Sequence, residues 1–304
     1  MSNGLYRCCP PKGEGVPFRG TGCFGIIVVK KSDLKLGWEV RPIFSISLHK
    51  KDLALLKRIK AFFGDYGRIT EKHGESTNQY VVTGRDALTV IVSHFDTYPL
   101  VSKKFADYLL FKKAFELYLQ KAHLTSKGLQ EILSIKASLN LGANLELKKS
   151  FPDLVPAPRP LVEKPLNLNG DWVAGFVSGD GGFLINITKP KSGKPPYIIS
   201  LEFKVTQNER DKELLNSFIS FFGSGTIIRK SDKYLTWDYR CRVFKCNNQI
   251  IRVFFQTHKI LGMKSLDFDS WSKAAEIIEK KGHLTPEGFA QIQKLKSGMN
   301  SARN

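Results

Sequence analysis

The chain has 304 residues, 42% of them hydrophobic, a length and apolar content that suggest roughly two packed domains. Its 47 Lys and Arg against 28 Asp and Glu give a net charge of +19 and a pI near 9.7, which points to a polyanionic partner, most simply nucleic acid, with a merely basic or ribosomal protein as the competing explanation. Five cysteines, an odd number without a C-x-x-C pair, speak against a disulfide framework and a zinc site, and no apolar run approaches the ~20 residues of a membrane span.

The opening stretch, MSNGLYRCCPPKGEG, has neither the apolar core of a signal peptide nor an Arg-rich amphipathic helix. From Cys23 the segments CFGIIVVKK and WEVRPIFSISLHK alternate as two strands, with SDLKLG as the turn between them. DLALLKRIKAFF then has helical spacing, and YGRITEK and NQYVVTG form a second strand pair. Residues 86–96, 103–121 and 125–138 read as helices. A second series follows: strands near 182–190, 196–206, 224–231 and 234–245, and helices near 211–222, 247–256, 264–281 and 286–298. Thr125 and Thr285 each stand where a helix N-cap belongs, which accounts for the AHLT and GHLT segments without a catalytic role for His123 or His283.

The two series are one unit repeated. AFFG at 61–64 and SFFG at 220–223 lie 159 residues apart, as do GCF at 22–24 and GGF at 181–183. KAHLTSKGLQEILSIKASLN at 121–140 matches KGHLTPEGFAQIQKLKSGMN at 281–300. The expected organisation is an N-terminal unit over 1–150, a Pro-rich semi-rigid linker over 151–170, and a C-terminal unit over 171–304, both units α+β and related by pseudo-two-fold symmetry.

Residues 172–183, WVAGFVSGDGGF, carry the chemistry. Gly175 and Gly179 share a helical face and permit close helix packing. The run ends in a carboxylate, Asp180, at the helix C-terminus, where negative charge opposes the helix dipole and a divalent cation is a good compensator. On the sheets, one side must pack on helices. The other is expected to be polar and basic, carrying Lys30, Lys31, Lys35, Arg41, Arg68 and Lys72 in the first unit, and Lys189, Lys191, Lys194, Lys204, Arg229, Lys230, Lys233, Arg240 and Arg242 in the second. Such a curved antiparallel sheet can lie in a major groove.

The 172–183 motif, the repeat, the basic strands and segments such as FADYLLFKKAFEL and GMKSLDF together resemble the single-chain, two-motif LAGLIDADG homing endonucleases of fungal mitochondrial introns, from about Gly22 to Asn300. The resemblance implies αββαββα-type units with saddle-shaped, DNA-binding sheets, and a monomer that hydrolyses phosphodiesters in a long double-stranded DNA target. It implies two motif helices, each ending in an acid, that hold Mg²⁺ at the scissile phosphates. It implies mitochondrial encoding and no membrane association. It also leaves open an intron maturase, with host intron RNA as partner. In that frame Asp180 and Gly179 are the expected metal contacts, Lys245 the basic residue supporting cleavage, and Gln207 the residue orienting water.

The first unit departs from this pattern. Asp180 maps onto Thr21, and the preceding KGEGVPFRGTG carries Pro17 and several glycines where a helix is needed. A neutral hydroxyl is a poor substitute for a carboxylate at Mg²⁺. The expectation is therefore nicking or no cleavage, with either decay or a start-site artefact behind residues 1–20, and with the apolar face of 173–177 exposed unless residues 1–20 cover it.

Overall fold

The computed structural model describes residues 21–71, 76–140, 142–163, 167–191, 197–231, 233 and 235–300, with Thr21 as backbone only. They form two compact units, 21–163 and 167–300. The first runs β1 (Thr21–Lys30), β2 (Trp38–His49), α1 (Leu53–Phe62), β3 (Arg68–Glu71), β4 (Thr77–Val82), α2 (Arg85–Thr97), α3 (Lys104–Leu119), α4 (Ser126–Ser138) and α5 (Leu145–Ser150). The second runs α6 (Gly170–Asp180), β5 (Gly181–Thr188), β6 (Ile198–Asn208), α7 (Lys212–Phe222), β7 (Thr226–Ser231), β8 (Thr236–Cys241), α8 (Phe244–Cys246), α9 (Arg252–Thr257), α10 (Lys264–Glu279) and α11 (Pro286–Ser297). Each unit is α+β, built on a four-stranded antiparallel sheet of order β1-β2-β4-β3 or β5-β6-β8-β7.

The strand registers coincide. Phe44 pairs with Val82 in the first sheet and Phe203 with Cys241 in the second, so positions 159 apart are equivalent across both. Period-two alternation then sends one face of each sheet into a core. Phe24 lies 5.1–5.4 Å from the rings of Phe44, Phe95, Tyr108 and Phe111. Its equivalent Phe183 lies 5.2–5.6 Å from Phe203, Phe255, Phe268 and Trp271. Asn140 and Asn300, in matching left-handed conformations after α4 and α11, donate to the carbonyls of Phe24 (2.7 Å) and Phe183 (3.2 Å), tying each last helix to the strand it covers. The N-caps hold as expected: Thr125 and Thr285 each accept from a glycine N–H three residues on, at 3.1 Å.

Two expectations change. The last strand stops at Cys241 rather than near residue 245, because the buried Asn247 side chain donates to the carbonyls of Leu201 (2.9 Å) and Cys241 (3.2 Å) and turns the chain into a helix. That helix, from Phe244 to Thr257, widens to a π turn at Asn247–Ile251. The proposed linker is in good part docked. Ser134 and Ser138 donate to the carbonyls of Val155 (2.6 Å) and Ala157 (2.5 Å), Ala157 N–H donates to the Ser134 carbonyl (3.0 Å), and Arg159 reaches the buried Asp107 at 2.8 Å. Val173, Ala174, Gly175, Phe176 and Val177 of α6 are all buried, with Phe176 packed on Phe218 (5.8 Å) and stacked on Trp172 (4.8 Å). The degenerate segment before Thr21, including Glu14 and the Cys8-Cys9 pair, lies outside the described residues, as do Lys72 and Lys194.

Candidate active site

Helix α6 is held at both ends. Asn169 caps its start, its side chain accepting from the N–H groups of Asp171 (2.9 Å) and Trp172 (3.2 Å). Asp171 pairs with the His258 ring, and Gly170 leaves room for that ring, since a Cβ there would meet it at 2.8 Å. Near the other end, Ser178 accepts from Leu261 N–H at 2.9 Å. The helix therefore delivers Asp180 from a fixed position at the junction with β5.

Around Asp180 two side chains converge. Gln207, 1% exposed on β6, donates its amide N–H to Asp180 Oδ2 at 2.8 Å, while its own Oε1 is buried without a hydrogen bond among the described residues. Lys264, at the start of α10, places its ammonium on the carbonyls of Gly179 (3.2 Å) and Gly181. A cation at a helix C-terminus offsets the dipole that the carboxylate opposes. The compensating charge seen here is thus a lysine, which sequence reasoning missed. The signal was available: Lys104 and Lys264 open equivalent helices, 160 residues apart.

The donor set suits a hard cation on one side. A carboxylate, an orphaned amide oxygen and flanking backbone carbonyls are the oxygen ligands that Mg²⁺ or Ca²⁺ takes. No group of three or more His, Cys, Asp or Glu able to hold a metal occurs among the described residues. Thr21 stands at the position of Asp180, since Gly22 pairs with Ile46 as Gly181 pairs with Val205.

Lys245 does not close a strand; it is exposed on α8, whereas Lys264 is the lysine that the fold brings to the junction. The register also corrects the sheet faces. Arg41, Arg68, Lys204 and Arg240 lie on the outer face, opposite the helices, and Arg242 follows Arg240 past the end of β8. Lys30 shares the helix-side alternation of Phe24, Ile26 and Val28, and Arg229, paired with Trp237, lies over that ring on the helix side together with Lys212. Lys230 is the extra residue of a bulge between Arg229 and Ser231. Lys31 and Lys35 sit in the β1–β2 turn, Lys189 and Lys191 follow β5, and Lys233 lies in the β7–β8 turn.

Comparison with known proteins agrees with this geometry. The family model of LAGLIDADG endonucleases matches residues 18–115 and 173–275. A probable intron-encoded endonuclease of Neurospora crassa is 35% identical over 293 residues, 91% of this chain and 62% of that protein. The chain spans only 52–62% of the length of the two N. crassa endonucleases it matches over most of its own length. A protein from an ND4 intron of Podospora anserina is 50% identical over 106 residues, 34% of this chain and 23% of that protein. The homing endonuclease I-SmaMI, solved bound to cleaved DNA, superposes with a TM-score of 0.90 at 43% identity, covering 93% of this chain and 94% of that one. I-SmaMI has also been solved on uncleaved DNA in the presence of calcium ions. The chain belongs to the LAGLIDADG endonuclease family.

Proposed function

We propose that the chain is a site-specific, intron-homing DNA endonuclease that hydrolyses phosphodiester bonds in a long double-stranded target with Mg²⁺, acting in mitochondria as a single chain. The observation that carries this reading is the junction of α6 and β5, where Asp180, Gln207 and Lys264 meet in a chain 43% identical to a DNA-bound homing endonuclease. Divalent metal use is general to the family, and the fungal intron origin of matched proteins supports the mitochondrial setting.

Asp180 and the carbonyl of Gly179 would hold the metal, which when bound supplies Lewis-acid polarisation of the scissile phosphate. Gln207 fixes the carboxylate through its amide N–H, and its buried amide oxygen is left with the capacity to accept from a water molecule. Lys264 keeps positive charge beside the reacting phosphate and neutralises the helix end. The outer sheet faces supply the DNA contacts: Arg41, Arg68, Lys204, Arg240 and Arg242, with the turn lysines on phosphates.

With the neutral Thr21 at the position equivalent to Asp180, the expected product is a nick. The test is a Mg²⁺-dependent assay on supercoiled plasmid carrying the intronless exon junction of the host gene. Open-circular product that disappears in Asp180→Asn is the expected result. Linear product would mean that a second acid completes the site. Specific binding to the host intron RNA, with no DNA cleavage, would replace this reading by the maturase one.

A further inference from the structure

The outer face of the second sheet contains two acids that a phosphate-approaching surface has no evident use for. Asp238 is 0% exposed and Glu202 is 4% exposed, both on strands that register places opposite the helices. Asp238 accepts from Thr206 Oγ1 (2.6 Å) and from Arg240 Nε (3.0 Å) and Nη2 (2.6 Å). Glu202 accepts from Arg242 Nε (2.6 Å) and lies 3.7 Å from Arg240 Nε.

Two arginines and two carboxylates sum to no net charge, so the group adds little to the general attraction for DNA. Burying it costs desolvation free energy. What it gains is direction. Asp238 occupies the Nε/Nη2 edge of Arg240 and fixes its rotamer. Glu202 takes only Nε of Arg242, leaving that side chain 58% exposed with neither Nη atom bonded among the described residues. A guanidinium held by its Nε and open at its end is a fork that fits O6 and N7 of guanine.

The first sheet lacks this device. The register equivalents of Glu202, Lys204, Thr206, Asp238, Arg240 and Arg242 are Ile43, Ser45, Ser47, Gln79, Val81 and Thr83, none of them charged.

We propose that Arg242, held by Glu202, reads a guanine through the open end of its guanidinium, with Arg240 and Asp238 as its bracing pair. Guanine selection is thereby concentrated in the base pairs under the second sheet. Glu202 and Asp238 are positioning residues that need not touch DNA. This rests on the reading that the outer sheet face meets DNA.

The experiment selects binding sites from a randomised double-stranded DNA library, without divalent metal, using the whole chain and its Arg242→Lys, Arg242→Gln and Glu202→Gln variants. Arg242→Lys keeps the charge and removes the fork, at a side chain exposed enough for folding to survive. The expected result is a G·C pair preferred by about tenfold or more in the wild type. That preference falls below about threefold in all three variants. Should the variants weaken every sequence equally and leave the preference intact, Arg242 is a phosphate contact and the inference is overturned. If the wild type selects no sequence at all, the endonuclease reading itself falls.

Discussion

At equivalent positions the two units hold different residues, and the difference separates structural from chemical labour. Lys264 reaches the carbonyls of Gly179 and Gly181 beside Asp180. Its counterpart Lys104 is buried, bonding Asp107 (3.0 Å) and Asn140 (2.7 Å) in a network joined by Arg159. Gln207, on Asp180, corresponds to Leu48. Glu202, Lys204, Asp238, Arg240 and Arg242 of the second sheet's outer face correspond to the uncharged Ile43, Ser45, Gln79, Val81 and Thr83. Phe254, packed on Phe221, Phe222 and His258, corresponds to His94, packed on Phe62, Phe63 and Tyr98. One backbone plan, with one register, thus tolerates opposite electrostatic content where packing volume is preserved.

The sharpest way to break this contrast is Asp180→Asn. It should lower Mg²⁺-dependent nicking by about 10³-fold or more, the scale of losing a group that acts on the transition state, with DNA affinity in metal-free buffer nearly unchanged. Retained nicking would move the chemistry elsewhere.

The two lysines come next. Lys104→Met leaves the fully buried Asp107 with Arg159 alone and should destabilise the chain by about 3 kcal/mol in urea melts. Lys264→Met should leave the melt within about 1 kcal/mol of wild type and slow nicking about 10–100-fold. Equal effects on stability would erase the distinction between the units.

Burial lowers the His94 pKa from 6.5 to about 4. The folded state thus holds this ring neutral where the unfolded chain protonates it. The sign follows: stability is fully present above pH 6.5 and is lost as pH falls toward about 4, by up to ~1.4 kcal/mol per pH unit. Urea melts at pH 7 and 5 should show this slope, and His94→Phe, which installs the second unit's residue, should flatten it.

The smallest effect is expected at the docked stretch before α6. Arg159→Ala removes a partly exposed cation from Asp107 and should cost about 1 kcal/mol. Chymotrypsin should then cut faster after Leu154 and Leu161. An unchanged cleavage pattern would mean that the Ser134 and Ser138 bonds hold the segment by themselves.

The sequence by itself determined the repeat, the α+β plan, nearly every strand and helix, the carboxylate Asp180 that ends α6, and the neutral Thr21 at its equivalent position. These follow from local pattern: periodicity, turn residues, and a motif read in one stretch. Gln207 was also named from the sequence, through the family resemblance, and the fold bonds it to Asp180. Tertiary structure alone decided which lysine serves the acid, since Lys264 lies 84 residues from Asp180 and meets it only when α10 crosses the end of α6. It decided that Arg229 and Lys30 face the helices, because strand register, and in β7 a bulge, sets the side on which each residue falls. It decided that Arg240 and Arg242 are braced by acids rather than free, because Glu202 and Arg242 lie 40 residues apart and are joined only by pairing of β6 with β8. Charge counting sums over the chain, whereas recognition depends on which charges the fold puts within reach of one another.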